Sequence, residues 1–418
     1  MKTRRGNERR VVITGWGAVT PLGPNVAETW EALITGTSGI GPVTCVDASD
    51  LPTSIAGEVK GFDAAKYLSH KQLRRMDPYS RYAFAAADEA LTSAKFELDE
   101  DRSPRTGVLI GSGYGAMSSI NDHVLTLENK GPRRVSPHAP VMGAIDSAAL
   151  EISLHYGITG PSRAMSSACA SGADAIGEAA RWIRHGMVDT AVAGGAEHII
   201  TRVDLSASGN AKALSRRMDA PTEASRPFDT DRDGFVMSAG SAVLVLETEE
   251  AAVARGAPIL AELAGYASTS DAHHITAPHP EGRGVRAAMR GALADAGLNA
   301  TDVDYVNAHG TSTPLNDPAE VESLHAVLGG HAGAIPVSST KSMTGHMIGA
   351  AGAIEAVVSG MAIQSGIVPP TINCHDPIDT SINFVAHEAQ QHHIDVVMSN
   401  SFGFGGHNAV LVLRRWEG

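Results

Sequence analysis

Two stretches of this chain repeat one design, and that repetition restricts its fold more than any other feature. SSACASGADAIGEAARWI, starting at Ser166, leads from small residues through a turn into an amphipathic helical pattern. TKSMTGHMIGAAGAIEAVVSGMAI, starting at Thr340, does the same, and the glycine-rich AVAGGAEH is echoed by SFGFGGHN after Val396–Asn400. Such self-similarity predicts a duplicated α/β fold. The halves should divide in the short Gly/Pro linker near Arg255–Pro258, giving residues 1–255 and 256–418.

Apolar runs alternate with helical patterns in each half. In the first, strands are expected at Arg10–Val19, Gly107–Tyr114, Arg163–Ser167, Thr190–Gly195 and Ser241–Glu247, with helices at Val26–Leu33, Arg81–Leu91 and Ile145–Tyr156. In the second, strands are expected at Ile259–Ala267, Val303–Asn307, Ile335–Ser339 and Val396–Asn400, with a helix at Val285–Ala296. Apolar runs that end in glycine, as GVLIGSGY does, suit buried parallel strands.

Cys169 stands at the entrance of the first repeated helix. A free thiol titrates near about 8.5 and the positive end of a helix lowers that value, so the position predicts an activated nucleophile. Its small neighbours let backbone and substrate come close, as a nucleophile elbow does for serine. A pseudo-two-fold between the halves would make equivalent strand ends converge, bringing His309 of NAHGTST and His346 of KSMTGHMIGA toward Cys169. Two histidines in Gly/Thr/Ser turns mark a site, and Lys341, five residues before His346, adds positive charge to it.

Charge and cysteine usage exclude several functions. A net charge of −13 opposes general nucleic-acid binding, so the basic start MKTRRGNERR reads as a solvated arm. The following VVITGWGAVTPLG is broken by Thr, Gly and Pro and reads as a strand and turn, which implies no secretion. The apolar stretch Ala353–Ile363 is shorter than a bilayer span and carries Glu355 and Ser359 at helical spacing, so a buried helix is expected and no membrane. Three scattered cysteines, Cys45, Cys169 and Cys374, fit a reducing cytoplasm. His273, His274, His279, His392 and His393 have no cysteine or carboxylate at ligand spacing, so no metal is expected.

Cys169 in SSACASG, His309 in NAHGTSTP, Lys341 and His346 in SSTKSMTGHMIGAAGA, and Phe404 in NSFGFGGHN together resemble the signature of the β-ketoacyl-ACP synthases of the elongating, synthase II-like type. The resemblance runs nearly end to end, from VVITGWGAVTPLG through RPFDTDRDGF to the last strand. It implies the thiolase fold, two similar halves stacked as a five-layered αβαβα sandwich. It also implies that Cys169 takes an acyl group from acyl carrier protein (ACP) and that His309 and His346 stabilise the enolate left when malonyl-ACP loses carbon dioxide. The backbone N–H groups of Cys169 and Phe404 would hold the tetrahedral oxyanion, and Lys341 would pair with Glu320. Phe404 would be a moving gate hinged on Gly403, Gly405 and Gly406.

By the same resemblance Thr311 and Thr313 line the phosphopantetheine tunnel, Tyr114 and Phe402 contribute to the substrate walls, and Lys71, Arg74, Arg75 and Lys212 dock ACP. No cofactor is implied beyond the phosphopantetheine that carries the substrates, and the expected assembly is a dimer with an identical or a homologous subunit. Fatty-acid-type elongation and the ketosynthase subunit of a type II polyketide synthase both fit. A thiolase would carry a second cysteine in the SFGFGGHN loop, and a chain-length factor would lack Cys169. Three departures mark this chain. Ala239 stands where the family has an acid, Tyr114 replaces a small or aliphatic residue, and SPHAPVMG replaces an aromatic-rich SPFFVP. An altered acyl tunnel for a shorter or more polar chain is expected.

Overall fold

Strand order repeats as faithfully as the sequence does. The protein is described by a computed structural model over residues 9–418. In the first half β1 (Val11–Val19), β2 (Thr106–Gly111), β3 (Ser162–Met165), β4 (Thr190–Glu197) and β5 (Gly240–Thr248) lie in the order β1-β5-β4-β2-β3. In the second half β6 (Ala261–Ser270), β7 (Tyr305–Asn307), β8 (Val337–Ser338), β9 (Val396–Gly403) and β10 (His407–Arg414) lie in the order β6-β10-β9-β7-β8. In both halves the first two pairings are antiparallel and the last two parallel.

The two sheets meet edge to edge through β1 and β6, where Val12 faces Glu262 and Ile13 faces Ala261, so all ten strands form one continuous sheet. Buried Glu262 clamps this seam, accepting from Arg10 at 2.9 Å and from Arg414 at 2.5 Å. Around it lie α1 (Pro78–Ser93), α2 (Met117–Lys130), α3 (Ser147–Tyr156), α4 (Ser171–Arg184), α5 (Arg283–Ala296), α6 (Asn316–Leu328) and α7 (Ala351–Ser365). Helices α1 and α5 cover the outer faces of the first and second sheets, while α4 and α7 pack on each other and against both sheets. The result is the five-layered αβαβα arrangement of the thiolase fold.

Local chemistry explains why the layers sit so close. Asp77 caps α1 by accepting from Tyr79 N–H, and Pro78 opens it, which starts the helix earlier than apolar spacing alone predicts. The alanine face of α1 rests on the glycines of VVITGWGAV, where a Cβ at Gly15 would lie 2.2 Å from the Ala90 carbonyl and one at Gly17 2.1 Å from that of Ala86. Strand β2 stops at Gly111 rather than Tyr114, whereas β4 runs on to Glu197 and β9 to Gly403. With its preceding turn, α7 gives 18 residues of mean hydropathy 1.3, enough to cross a membrane by length and composition. That window is 83% buried inside the protein, as the core helix of a sandwich should be.

The duplication extends to backbone strain. A tight turn, Ala168–Ala170, precedes α4, and its counterpart Ile348–Ala350 precedes α7. Each opens on a non-glycine residue in the left-handed region, Ala168 at φ 51° and Ile348 at φ 44°. Such residues cost on the order of 1–3 kcal/mol and persist where the surroundings fix them. In this register Cys169 and Gly349 are counterparts. Residues 1–8, which hold most of the basic arm, lie outside the described residues.

Candidate active site

Cys169 sits in the first of these strained turns, 7% exposed, directly before α4. Ser167 N–H donates to Ser171 Oγ at 2.9 Å, Ser167 Oγ donates to Asp174 Oδ2 at 2.5 Å, and Tyr266 of β6 donates to Asp174 Oδ1 at 2.7 Å. The Cys169 turn is therefore pinned to both halves. The thiol departs from the expectation of a lowered pKa, because burial pushes it up to about 11. Hydrogen bonding from Phe404 N–H, the charge of Lys341 and the N–H of Cys169 itself act in the opposite direction. An anion at this sulfur thus meets two backbone donors.

His309 follows β7 and His346 precedes the second strained turn, and the structure brings the two rings together with centroids 5.4 Å apart and planes at 83°. Both are 2% exposed and both line the cavity that holds Cys169. Burial first and the Lys341 charge second hold both imidazoles well below the ordinary histidine range. They stay neutral at pH 6.5, where free histidine is half protonated. Neutral imidazoles donate an N–H without adding charge. His346 is further packed edge-on by Phe235 and His309 by Phe402.

Lys341 is buried, but its partner corrects the expected pairing with Glu320. Its ammonium is bound by the carboxylate of Glu355, from the middle of α7, itself 1% exposed. Burial lifts the Glu355 carboxyl to about 7 against the pull of Lys341. Glu320 serves the backbone instead. Its oxygens accept the N–H groups of His309 and Gly310, each at 2.8 Å, and the Asn400 amide at 3.1 Å, so α6 holds the His309 turn in place.

The shared cavity has a volume of about 380 Å³ and is walled by Cys169, both histidines, Thr311, Thr313, Tyr114, Phe402 and Phe404 among others. Thr311 and Thr313 hydroxyls lie 3.0 Å apart in its wall. Phe404 is 44% exposed at its mouth, followed by Gly405 and Gly406 at φ 83° and 76°. Ala239 is buried in one apolar cluster with Cys169, Phe235, Met237 and Ile348. Nothing else in the structure explains why alanine replaces the acid. SPHAPVMG forms an exposed turn and the short helix Ala139–Met142.

Of the basic residues, Lys71, Arg74 and Lys212 are exposed. Arg75 is not free for a partner, since its guanidinium pairs with Glu151 at 2.8 Å. His273 and His279 lie ring to ring at 5.0 Å, but no group of three or more His, Cys, Asp or Glu residues is arranged to hold a metal among the described residues. Two buried acidic residues beside the cavity, Glu355 and Glu197, were not read as site residues from sequence, Glu355 being taken only as the mark of a buried helix. A lone carboxylate inside an otherwise apolar helix or strand was the available signal for both.

Comparison with known proteins matches residues 8–252 to the N-terminal domain of β-ketoacyl synthases and residues 260–375 to their C-terminal domain. The 3-oxoacyl-[acyl-carrier-protein] synthase 2 of Synechocystis sp. is 46% identical over 411 residues, covering 98% of this chain and 99% of that protein. A solved complex of a type II polyketide acyl-carrier protein with its hexaketide-bound ketosynthase contains a chain that superposes with a TM-score of 0.89 at 32% identity, covering 98% and 100% of the two chains. The ishigamide ketosynthase/chain length factor superposes with a TM-score of 0.90 at 33% identity, again covering 98% and 100%.

Proposed function

The chain belongs to the β-ketoacyl synthase family, and from that premise we propose that it is a 3-oxoacyl-ACP synthase that extends an acyl chain by two carbons. The carrying observation is one cavity that joins the Cys169 sulfur, the Phe404 N–H and two neutral imidazoles. The Cys169 thiolate attacks an acyl-ACP thioester, forming acyl-Cys169 and releasing the ACP thiol. Malonyl-ACP then loses carbon dioxide, and the electron pair of the broken C–C bond becomes an enolate whose oxygen is stabilised by His309 and His346. The enolate carbon attacks acyl-Cys169, the tetrahedral oxygen is held by the N–H groups of Cys169 and Phe404, and collapse frees the thiolate and 3-oxoacyl-ACP.

Lys341 keeps this site electropositive, and Thr311 and Thr313 offer hydroxyls to the phosphopantetheine arm. Phe404, exposed and followed by two glycines in left-handed geometry, has the freedom a gate needs. Lys71, Arg74 and Lys212 form the docking patch for an acidic ACP, with Arg75 supporting it through Glu151. No cofactor besides the phosphopantetheine of ACP enters the reaction. Residues 1–255 carry the nucleophile and 256–418 the histidines. Intact-mass analysis after mixing with acyl-ACP tests the reading. An added acyl mass on Cys169, discharged by malonyl-ACP, supports it, and an unmodified chain with every acyl-ACP and with any partner subunit overturns it.

A ketosynthase subunit of a type II polyketide synthase is the second reading, favoured by the superposition on the ketosynthase complex of a type II polyketide system. Either reading can use the unpaired edge of β3 and the exposed Ile120, Val124, Leu125 and Leu127 of α2. We assign this face to a dimer. Turnover by this chain alone means an identical subunit, and turnover only with a homologous partner means the polyketide arrangement.

Two predictions follow from the cavity walls. His309→Ala and His346→Ala should each lower kcat for malonyl-ACP decarboxylation about 10²–10³-fold, the worth of one oxyanion donor of about 2.7–4 kcal/mol. Unchanged decarboxylation in either variant would remove that histidine from the enolate site. Tyr114→Ala should shift preference toward longer acyl groups about tenfold in kcat/KM, since one or two methylenes in an apolar pocket are worth about that much. An unaltered chain-length profile would mean that Tyr114 does not bound the chamber.

A further inference from the structure

The mechanism leaves unused one fully buried acid beside the cavity. Glu197 closes β4, with 0% exposure and no cationic partner among the described residues. Its carboxylate accepts four hydrogen bonds. Oε1 takes Ser112 Oγ–H at 2.9 Å and Tyr114 N–H at 3.4 Å, while Oε2 takes Gly113 N–H at 2.7 Å and Gly349 N–H at 3.1 Å. The first three donors belong to the turn that carries Tyr114 into the cavity, and the fourth to the strained turn three residues after His346.

The packing leaves room for nothing else between these turns. A Cβ at Gly113 would stand 3.0 Å from Glu197 Oε2, and one at Gly349 would stand 2.8 Å from Glu197 Oε2 and 2.5 Å from Gly113 N. The ionised carboxylate accepts from all four donors at once, whereas a protonated Oε1 turns its hydrogen toward Ser112 Oγ and gives up the hydroxyl and Tyr114 N–H bonds on that side. Taking the cavity as an acyl chamber, as above, we propose that Glu197 is a positioning residue. Its carboxylate clips the Tyr114 wall in the first half to the His346 turn in the second and so sets the width of the chamber for the acyl chain.

Burial raises the Glu197 carboxyl to about 7, against the hydrogen bonds that lower it. The clip therefore loosens as pH falls below neutrality and is made as pH rises above it. Other titratable groups face it. Cys169 lies across the cavity, Tyr114 has its phenol pushed up mainly by burial, and His198, next in the chain, is held low by burial and bonded to Ser118 at 2.9 Å with Asp77 nearby. Cysteine and histidine titration acts on every acyl substrate alike and cancels in a ratio of chain lengths.

The experiment measures acylation of Cys169 by a short and a long acyl-ACP at pH 6 and pH 8, in wild type and Glu197→Gln. The expected wild-type ratio of short to long kcat/KM shifts at least threefold between the two pH values, through KM. Glu197→Gln should show one ratio at both, displaced at least threefold from wild type at pH 8. A wild-type ratio independent of pH, or a Gln variant that keeps the wild-type pH shift, overturns the proposal, and the wild-type arm stands even if the variant does not fold. Iodoacetamide labelling of Cys169 separates the two readings. Normal labelling without acylation by either acyl-ACP defeats the acyl-chamber reading itself, whereas acylation with an unmoved ratio defeats only the role of Glu197.

Discussion

Cys169→Ala should abolish condensation, lowering kcat by at least about 10⁴-fold, because removal of a nucleophile leaves only binding and oxyanion stabilisation. Alanine fills the same buried turn with the loss of one sulfur, and the apolar cluster of Phe235, Met237, Ala239 and Ile348 around it is untouched. The variant should therefore fold, carry no acyl mass after exposure to acyl-ACP, and still release carbon dioxide from malonyl-ACP through His309 and His346. Quantifying acyl adduct, carbon dioxide and 3-oxoacyl product in parallel checks each part. An acyl mass persisting in the variant would place the covalent step on another residue.

Glu355→Gln should carry the largest cost in stability. It leaves the ammonium of Lys341, 2% exposed, without its counter-charge in the core. Breaking a buried pair by removing one partner costs about 3–5 kcal/mol, whereas replacing both by apolar residues of similar volume is often neutral. Urea unfolding should thus show a large loss for Glu355→Gln and recovery of most of it in Glu355→Leu/Lys341→Met. That double variant should still condense poorly, since the cationic field acting on Cys169 has gone. Equal stability of Glu355→Gln and wild type would mean that the pair adds no net stability to the fold.

The fold was legible because its signals are local and repeated. Glycine-ended apolar runs, helical spacing and the echo of SSACASG in GHMIGAAG each fix one element, and duplication turns a list of elements into an arrangement. Cys169, His309, His346 and Lys341 stood out for the same reason, as each lies in a short stretch of small residues and glycine, with Lys341 and His346 sharing one. What escaped depends on packing rather than on any local pattern. The acid beside Lys341 comes from α7, 14 residues on, where periodicity reads only as core, whereas Glu320, in a polar stretch that folds as part of α6, was the natural but wrong choice. The thiol of Cys169 was expected to be acidic from its helix, yet its burial is a property of packing that no local pattern carries.

The matched turns before α4 and α7 also fix how many reactions one chain can host. In the first, the position after the left-handed residue holds a side chain that meets open cavity. In the second it holds Gly349, where any side chain would run into Gly113 and Glu197. A nucleophile cannot be installed there without dismantling the wall of the working centre. On the proposed mechanism the fold should therefore take one acyl group per chain, not one per repeat, and active-site titration should saturate at one acyl group per chain.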